Sequence, residues 1–122
     1  MRLPSKINRR YFIGMIAEYW AVLILMVKGY RPLAVRYKTK VGEIDLIVKR
    51  GRTIVFVEVK YRQNMDDAAH AVHNKSQLRI RRAADHYLLL HRRESSNVVH
   101  DYRFDVIAVN KFLKINHIQN AF

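Results

Sequence analysis

The hydrophobic and polar positions of this chain fall into blocks of different period. Tyr11 to Val27 is an apolar run with one formal charge, Glu18, and Ala21 to Val27 is wholly apolar. The run predicts a helix from about Arg10 to Lys28. Lys28 suits the negative end of its dipole, and Gly29 suits the position just past its end. Pro32 prevents a return to helix nearby. A bilayer-spanning helix usually needs about 20 apolar residues, and a carboxylate near its middle is costly in lipid. The expectation is therefore a helix buried on most sides, without stable membrane insertion.

Beyond Pro32 the pattern changes to short, β-branched segments. Leu33 to Lys38 is a candidate strand, and Ile44 to Val48 and Ile54 to Lys60 are stronger ones. Arg50, Gly51 and Arg52 provide turn chemistry, which predicts a hairpin between the last two. Gln63 to Asn74 reads as a polar loop with one helical turn at most. Lys75 to His91 restores helical spacing, with Ile80, Ala83, Ala84, Tyr87 and Leu88 on one face. Lys75, Arg79, Arg82 and His86 gather on the opposite, positive face. Tyr102 to Val109 and Lys111 to Ile118 are two further strands, separated by a turn at Asn110. The expected fold is α/β, a mixed central β-sheet flanked by helices, with the two helices on opposite faces or together on one.

Composition narrows the function. The chain has 122 residues, the size of one domain, and half of them are hydrophobic. Lys and Arg number 23 against 10 Asp and Glu, a formal charge of +13. Such a surface attracts polyanions, nucleic acid first and anionic membrane second. Cysteine is absent, which excludes disulfides, thiol catalysis and Cys-ligated zinc. Met1 to Arg10 is basic, but no small-residue cleavage site follows the apolar run. The expectation is a cytoplasmic protein. A homodimer is an open assembly state.

The chemistry concentrates near the end of one strand. In Ile54 to Lys60 the first four residues are apolar, so the strand should be central and covered on both faces. Glu58 and Lys60, two residues apart, then point to one face. If Gly51 and Arg52 form a two-residue loop, residues whose numbers sum to 103 face each other, and Asp45 lies opposite Glu58. With the loop one residue earlier, Asp45 and Glu58 become diagonal neighbours on the same face. Two carboxylates so close repel, and a divalent cation removes that penalty. Their hard oxygens suit Mg²⁺ or Mn²⁺. Lys60 beside them suits charge developing on a scissile phosphate. Asp45, Glu58 and Lys60 are thus candidate catalytic residues. Asp45 and Glu58 are candidate metal ligands, with Glu18 assisting; the competing reading of Glu18 is that it caps the sheet edge or pairs with an Arg. An exposed Glu58–Lys60 ion pair at a strand end is the competing, purely structural reading.

The segments Gly14 to Glu18 (GMIAE), Gly42 to Ile47 (GEIDLI), Phe56 to Lys60 (FVEVK), Arg103 to Val106 (RFDV) and His117 to Phe122 (HIQNAF) resemble the YraN family of small bacterial proteins, within the PD-(D/E)XK nuclease superfamily. The resemblance spans nearly the whole chain. It implies one nuclease-like domain over residues 1–122 with a restriction-endonuclease-like core. It also implies a metal-dependent endonuclease acting on DNA, branched or single-stranded. The superfamily's strand-borne Asp maps to Asp45, its Glu-x-Lys to Glu58 and Lys60, and the helix carboxylate of its Holliday-junction-resolvase-like branch to Glu18. Lys75 and Gln77, at the start of the second helix, stand where such nucleases place phosphate or water contacts. Arg79, Arg82 and Arg62 are further candidate DNA contacts. Where such proteins often carry Asn and Arg before the GEIDLI run, this chain has Arg36 and Lys38. The alternative function is a nucleic-acid-binding domain without turnover. Asp105, beside Arg103, reads as a structural salt bridge.

Overall fold

The computed structural model describes residues 6–63, 72–91 and 101–122. Helix α1 (Lys6–Val27) leads into the strands β1 (Arg31–Lys38), β2 (Glu43–Arg50) and β3 (Thr53–Tyr61). Helix α2 (Asn74–Leu90) and the strands β4 (Asp101–Val109) and β5 (Ile115–Ile118) follow. The expected loop lies largely at residues 64–71, outside the described residues. The strands form one sheet in sequence order. Every neighbouring pair is antiparallel except β3 and β4, which run parallel across the α2 crossover. The fold is α/β with a mixed five-stranded sheet.

Alternation along the central strands sends two apolar sets to opposite faces. Ala17, Ala21 and Leu25 of α1 pack with Leu46, Val48, Val55, Val57, Ile107 and Val109. Ile80, Ala83, Ala84 and Tyr87 of α2 pack with Ile47, Ile54, Phe56, Phe104 and Val106. The helices therefore lie on opposite faces, which resolves the choice left open by the pattern. Phe56, Phe104 and Phe122 stack in sequence at centroid separations of 5.4 and 5.3 Å.

Gly29 adopts φ +92. Its N–H donates to Met26 O at 3.0 Å, and that of Tyr30 to Leu25 O at 2.9 Å. This double bond closes α1 in a Schellman turn, with Tyr30 and Leu25 in the same core cluster. Pro32 lies within β1, as an edge strand allows. The last strand is shorter than its pattern predicts. The side-chain oxygen of Asn110 accepts the N–H groups of Phe112 and Lys114, and Leu113 takes φ 61, so 111–114 is a turn.

The expectation that α1 is buried on most sides is not met. Phe12, Ile16, Tyr19, Leu23 and Met26 are between 43% and 56% exposed. α1 lies on an open sheet face with nothing described beyond it, so its outer half meets solvent. By length and composition its stretch Arg9–Val27 would suffice to cross a bilayer.

The β1–β2 turn fixes the height of α2. The Thr39 hydroxyl oxygen accepts the N–H groups of Val41 and Gly42, and a Cβ on Gly42 would overlap the main-chain carbonyl of Arg79. Gly42→Ala must push the turn and the α2 backbone apart, and neither is a flexible side chain. We expect a loss of about 1–3 kcal/mol, measured by urea unfolding. An unchanged midpoint would show that the two segments do not touch.

Candidate active site

The β2–β3 register follows the two-residue Gly51–Arg52 loop. Leu46 faces Val57, Ile47 faces Phe56 and Val48 faces Val55, each pair summing to 103. Gly51 takes φ +60, as such turns require. The same register sets Asp45 opposite Glu58, but the ladder stops at Leu46. Instead of a main-chain bond, Asp45 Oδ2 accepts the N–H of Val59 at 2.8 Å. β3 continues beside β4 as far as Tyr61. The site thus lies where two paired strands part, at the end of a central strand.

Asp45 and Glu58 face each other here and interact electrostatically. Burial pushes the Asp45 carboxyl up to about 8, and the nearby Glu58 and Glu18 add to the shift. Burial also raises Glu58, against the opposing pull of Lys60 and of the neighbouring Asp45. Both carboxyls are therefore held above the ordinary carboxylate range, because burial disfavours charge on either and the two together disfavour double ionisation. Lys60 Nζ stands 3.3 Å from Glu58 Oε1, with both side chains mostly buried.

Two clefts meet at this pair. Asp45 lines one of about 210 Å³ with Tyr11, Glu18, Arg36 and Lys38. Glu58 lines another of about 180 Å³ with Ser76, Arg79 and Ile80. Glu43 borders both. One cleft opens under α1 and the other under α2.

Glu18 approaches from α1 as expected but is engaged. Its Oε2 accepts Arg36 Nε at 2.8 Å, and Arg36 also donates to the Tyr11 hydroxyl at 2.7 Å. Its guanidinium lies 5.1 Å from the Tyr11 ring centroid. Glu18 and Tyr11 raise the Arg36 pKa above its ordinary value. Arg36 takes φ 55, a left-handed conformation that favours Gly or Asn. That conformation turns its side chain to α1.

Among the described residues, no three His, Asp or Glu side chains form a group that could hold a metal ion. The structure thus joins Asp45 to Glu58 but does not add Glu18 as a third ligand. Two carboxylates match what Mg²⁺ usually draws from protein, since it keeps several waters. The raised carboxyls fit as well, because a cation would relieve the same desolvation and repulsion. His73 is the N-cap of α2.

The candidate nucleic-acid contacts divide. Arg79 reaches the Glu58 cleft. Lys75 and Arg82 are exposed on α2. The Gln77 side chain donates to Val72 O at 3.0 Å and so fastens the chain entering α2. Arg62 is exposed beyond β3, its side chain on the Tyr61 carbonyl at 2.9 Å. Ser76, Tyr11 and Arg36 border the clefts without having been singled out as site residues. Only Arg36 carried a hint, as a departure from the resembled family.

The Asp105 carboxylate is fully buried and fully bonded. It accepts Arg103 Nε at 3.0 and 3.2 Å, His117 Nε2 at 2.8 Å and the Asn120 N–H at 2.9 Å. Burial would raise its pKa, but these donors outweigh burial and hold it below the usual carboxylate range. It is the structural salt bridge expected of it.

Residues 17–109 match the sequence pattern described as "Uncharacterised protein family UPF0102". A UPF0102 protein of Rhizobium meliloti is 44% identical over 109 residues, covering 89% of this chain and 87% of the relative. One from Agrobacterium fabrum is 47% identical over the same shares. One from Mesorhizobium japonicum is 42% identical over 94% of this chain and 90% of its own length. The chain belongs to the uncharacterised UPF0102 family, the YraN family that its GEIDLI and FVEVK segments resemble.

Proposed function

We propose that this protein is a metal-dependent endonuclease that hydrolyses phosphodiester bonds of DNA, on a restriction-endonuclease-like core. The half-buried Asp45–Glu58 pair beside Lys60, at an open strand end of a protein with charge +13, carries this reading. Two buried carboxylates destabilise each other when both are ionised, so a purely structural role gives poor grounds for keeping both.

Asp45 and Glu58 would hold Mg²⁺ or Mn²⁺, and Glu18 would join them only by releasing Arg36. The bound ion would supply Lewis-acid stabilisation of charge at a phosphoryl oxygen. Asp45 must lose its proton to act as a ligand. Lys60 holds its positive charge against Glu58 and offers it to the same developing charge. Arg79, from the far wall of the Glu58 cleft, supports a phosphate.

The test is cleavage of linear, single-stranded and branched DNA with Mg²⁺, Mn²⁺ or chelator, beside Lys60→Ala. Cation-dependent nicking that Lys60→Ala loses supports the proposal. No product from any DNA with either metal would leave the second reading, a nucleic-acid-binding domain without turnover. The charge of +13 favours that one independently.

Binding is separable from cleavage. The logarithm of DNA affinity should fall linearly with the logarithm of salt. Arg79→Glu with Arg82→Glu should weaken binding to every sequence, about tenfold or more in low salt, and flatten the salt slope. Filter binding across a salt series measures both. Unchanged affinity would remove this face of α2 from the DNA site.

A further inference from the structure

α1 carries two apolar stripes. Ala17, Ala21 and Leu25 are buried against the sheet. On the opposite side Phe12, Ile16, Tyr19, Leu23 and Met26 are exposed. Their spacing alternates four and three residues, the narrow seam of a coiled coil rather than a broad amphipathic face.

We infer that this seam is a self-association surface, where α1 of one molecule packs antiparallel on α1 of a second copy. The partner that fits a heptad seam is a helix with a seam of the same period, and α1 of another copy presents one. With the adjacent Val27, 86% exposed, the seam exposes roughly 600 Å² per molecule, so a pair that covers it completely buries at most about 1,200 Å², the lower edge of specific interfaces. The direction follows from charge. A parallel pair would bring Arg9 and Arg10 of both copies together at one end, whereas an antiparallel pair separates them and sets each beside the negative helix end and the single Lys28 of the partner subunit, which is the smaller repulsion. The dyad then passes by Tyr19, the middle residue of the seam. Phe12 meets Met26 of the partner subunit, and Ile16 faces Leu23 of the partner subunit.

A bilayer suits the seam less well. α1 cannot span one while its inner stripe stays locked in the sheet core. Tyr19 would set a hydroxyl at the centre of a lipid-facing stripe, where a protein interface can bond it.

The test uses the full chain at micromolar concentration without detergent. Sedimentation equilibrium should give a dimer that tightens as salt rises, since salt screens the repulsion between two chains of +13. DNA affinity should move the opposite way. Leu23→Glu, and Ile16→Glu separately, should raise the dimer dissociation constant roughly a hundredfold or more, with far-UV circular dichroism unchanged. The chain has no cysteine, so Tyr19→Cys should cross-link to itself with a short bis-maleimide. Phe12→Cys should cross-link only when mixed with Met26→Cys. A monomeric wild type, or a dimer indifferent to both Glu variants, would overturn the inference. So would self-cross-linking by Phe12→Cys alone. Co-flotation with anionic vesicles that Leu23→Glu abolishes, without a dimer in solution, would assign the seam to lipid instead.

Discussion

On the proposed nuclease reading, Asp45→Asn should lower cation-dependent DNA cleavage by about 100- to 1,000-fold or more, yet the variant should fold and be more stable than the wild type at alkaline pH. Asparagine mimics the protonated acid already present. Its amide oxygen can accept the Val59 N–H, and its NH₂ can donate towards Glu58. It cannot supply the negative charge that a cation needs. The pH dependence has a definite sign. The folded Asp45 pKa, about 8, lies above the ordinary 3.8. The stability linked to this proton is therefore fully present below pH 3.8 and is lost as pH rises through 8. The variant should gain on the wild type across that window, reaching a Tm advantage of about 5 °C at pH 9. Differential scanning calorimetry at pH 5 and pH 9 measures it. An equal Tm difference at both pH values would deny the raised Asp45 pKa. Cleavage within tenfold of wild type would remove Asp45 from the catalytic machinery.

Asp105→Ala should cost about 3–5 kcal/mol, a large part of the ~5–15 kcal/mol that holds a domain together. Removing the carboxylate strands a cluster rather than a pair. Arg103, which also donates to the Tyr30 hydroxyl, keeps a half-buried charge without its counter-ion. His117, whose side chain is only 5% exposed, loses the acceptor of its Nε2–H. That bond leaves Nδ1 as the acceptor facing Lys28 Nζ at 3.3 Å. Asp105→Asn should cost less, because its amide oxygen still accepts the Asn120 N–H. The Asp105 pKa is depressed, so its stabilisation is present above the ordinary carboxylate pKa and is lost as pH falls through the folded value. Urea unfolding of both variants at neutral pH distinguishes these expectations. A loss under 1 kcal/mol for Asp105→Ala would mean that water replaces the carboxylate.

Much of the carboxylate pair was legible in the sequence because β-strand geometry has period two. Once Gly51 and Arg52 are taken as the loop, arithmetic sets Asp45 opposite Glu58, and the ladder from Leu46 to Arg50 follows that arithmetic. The break at Asp45 was not legible. Nothing in GEIDLI says that a side chain will take the Val59 N–H in place of a main-chain bond. Pairing with an Arg was one of the two readings of Glu18, but which Arg was hidden for a related reason. It depends on Arg36 adopting φ 55, and an Arg gives no local cue for a left-handed backbone. The exposure of α1 misled because an apolar sequence reports what a helix can bury, not what lies beside it. The turn at 111–114 was read as strand because the two bonds to the Asn110 side chain override the strand preference of Phe112.

The parallel pairing of β3 with β4 bears on the order in which the molecule assembles. The β1–β2 and β2–β3 hairpins close over loops of a few residues. Thr53 meets Asp101 and Tyr61 meets Val109, partners about 48 positions apart, and each doubling of a closed loop adds roughly 0.6 kcal/mol of entropy. Local pairing therefore runs ahead of the crossover, and the strands bearing Asp45 and Glu58 belong to the early meander. Arg79 and the α2 wall arrive with the late crossover. Core truncations in β2 or β3 should then slow refolding, while equivalent ones in β4 or β5 should mainly speed unfolding. In kinetic terms, the two halves of the carboxylate cleft are built at different moments, and amide exchange should open them in the reverse order.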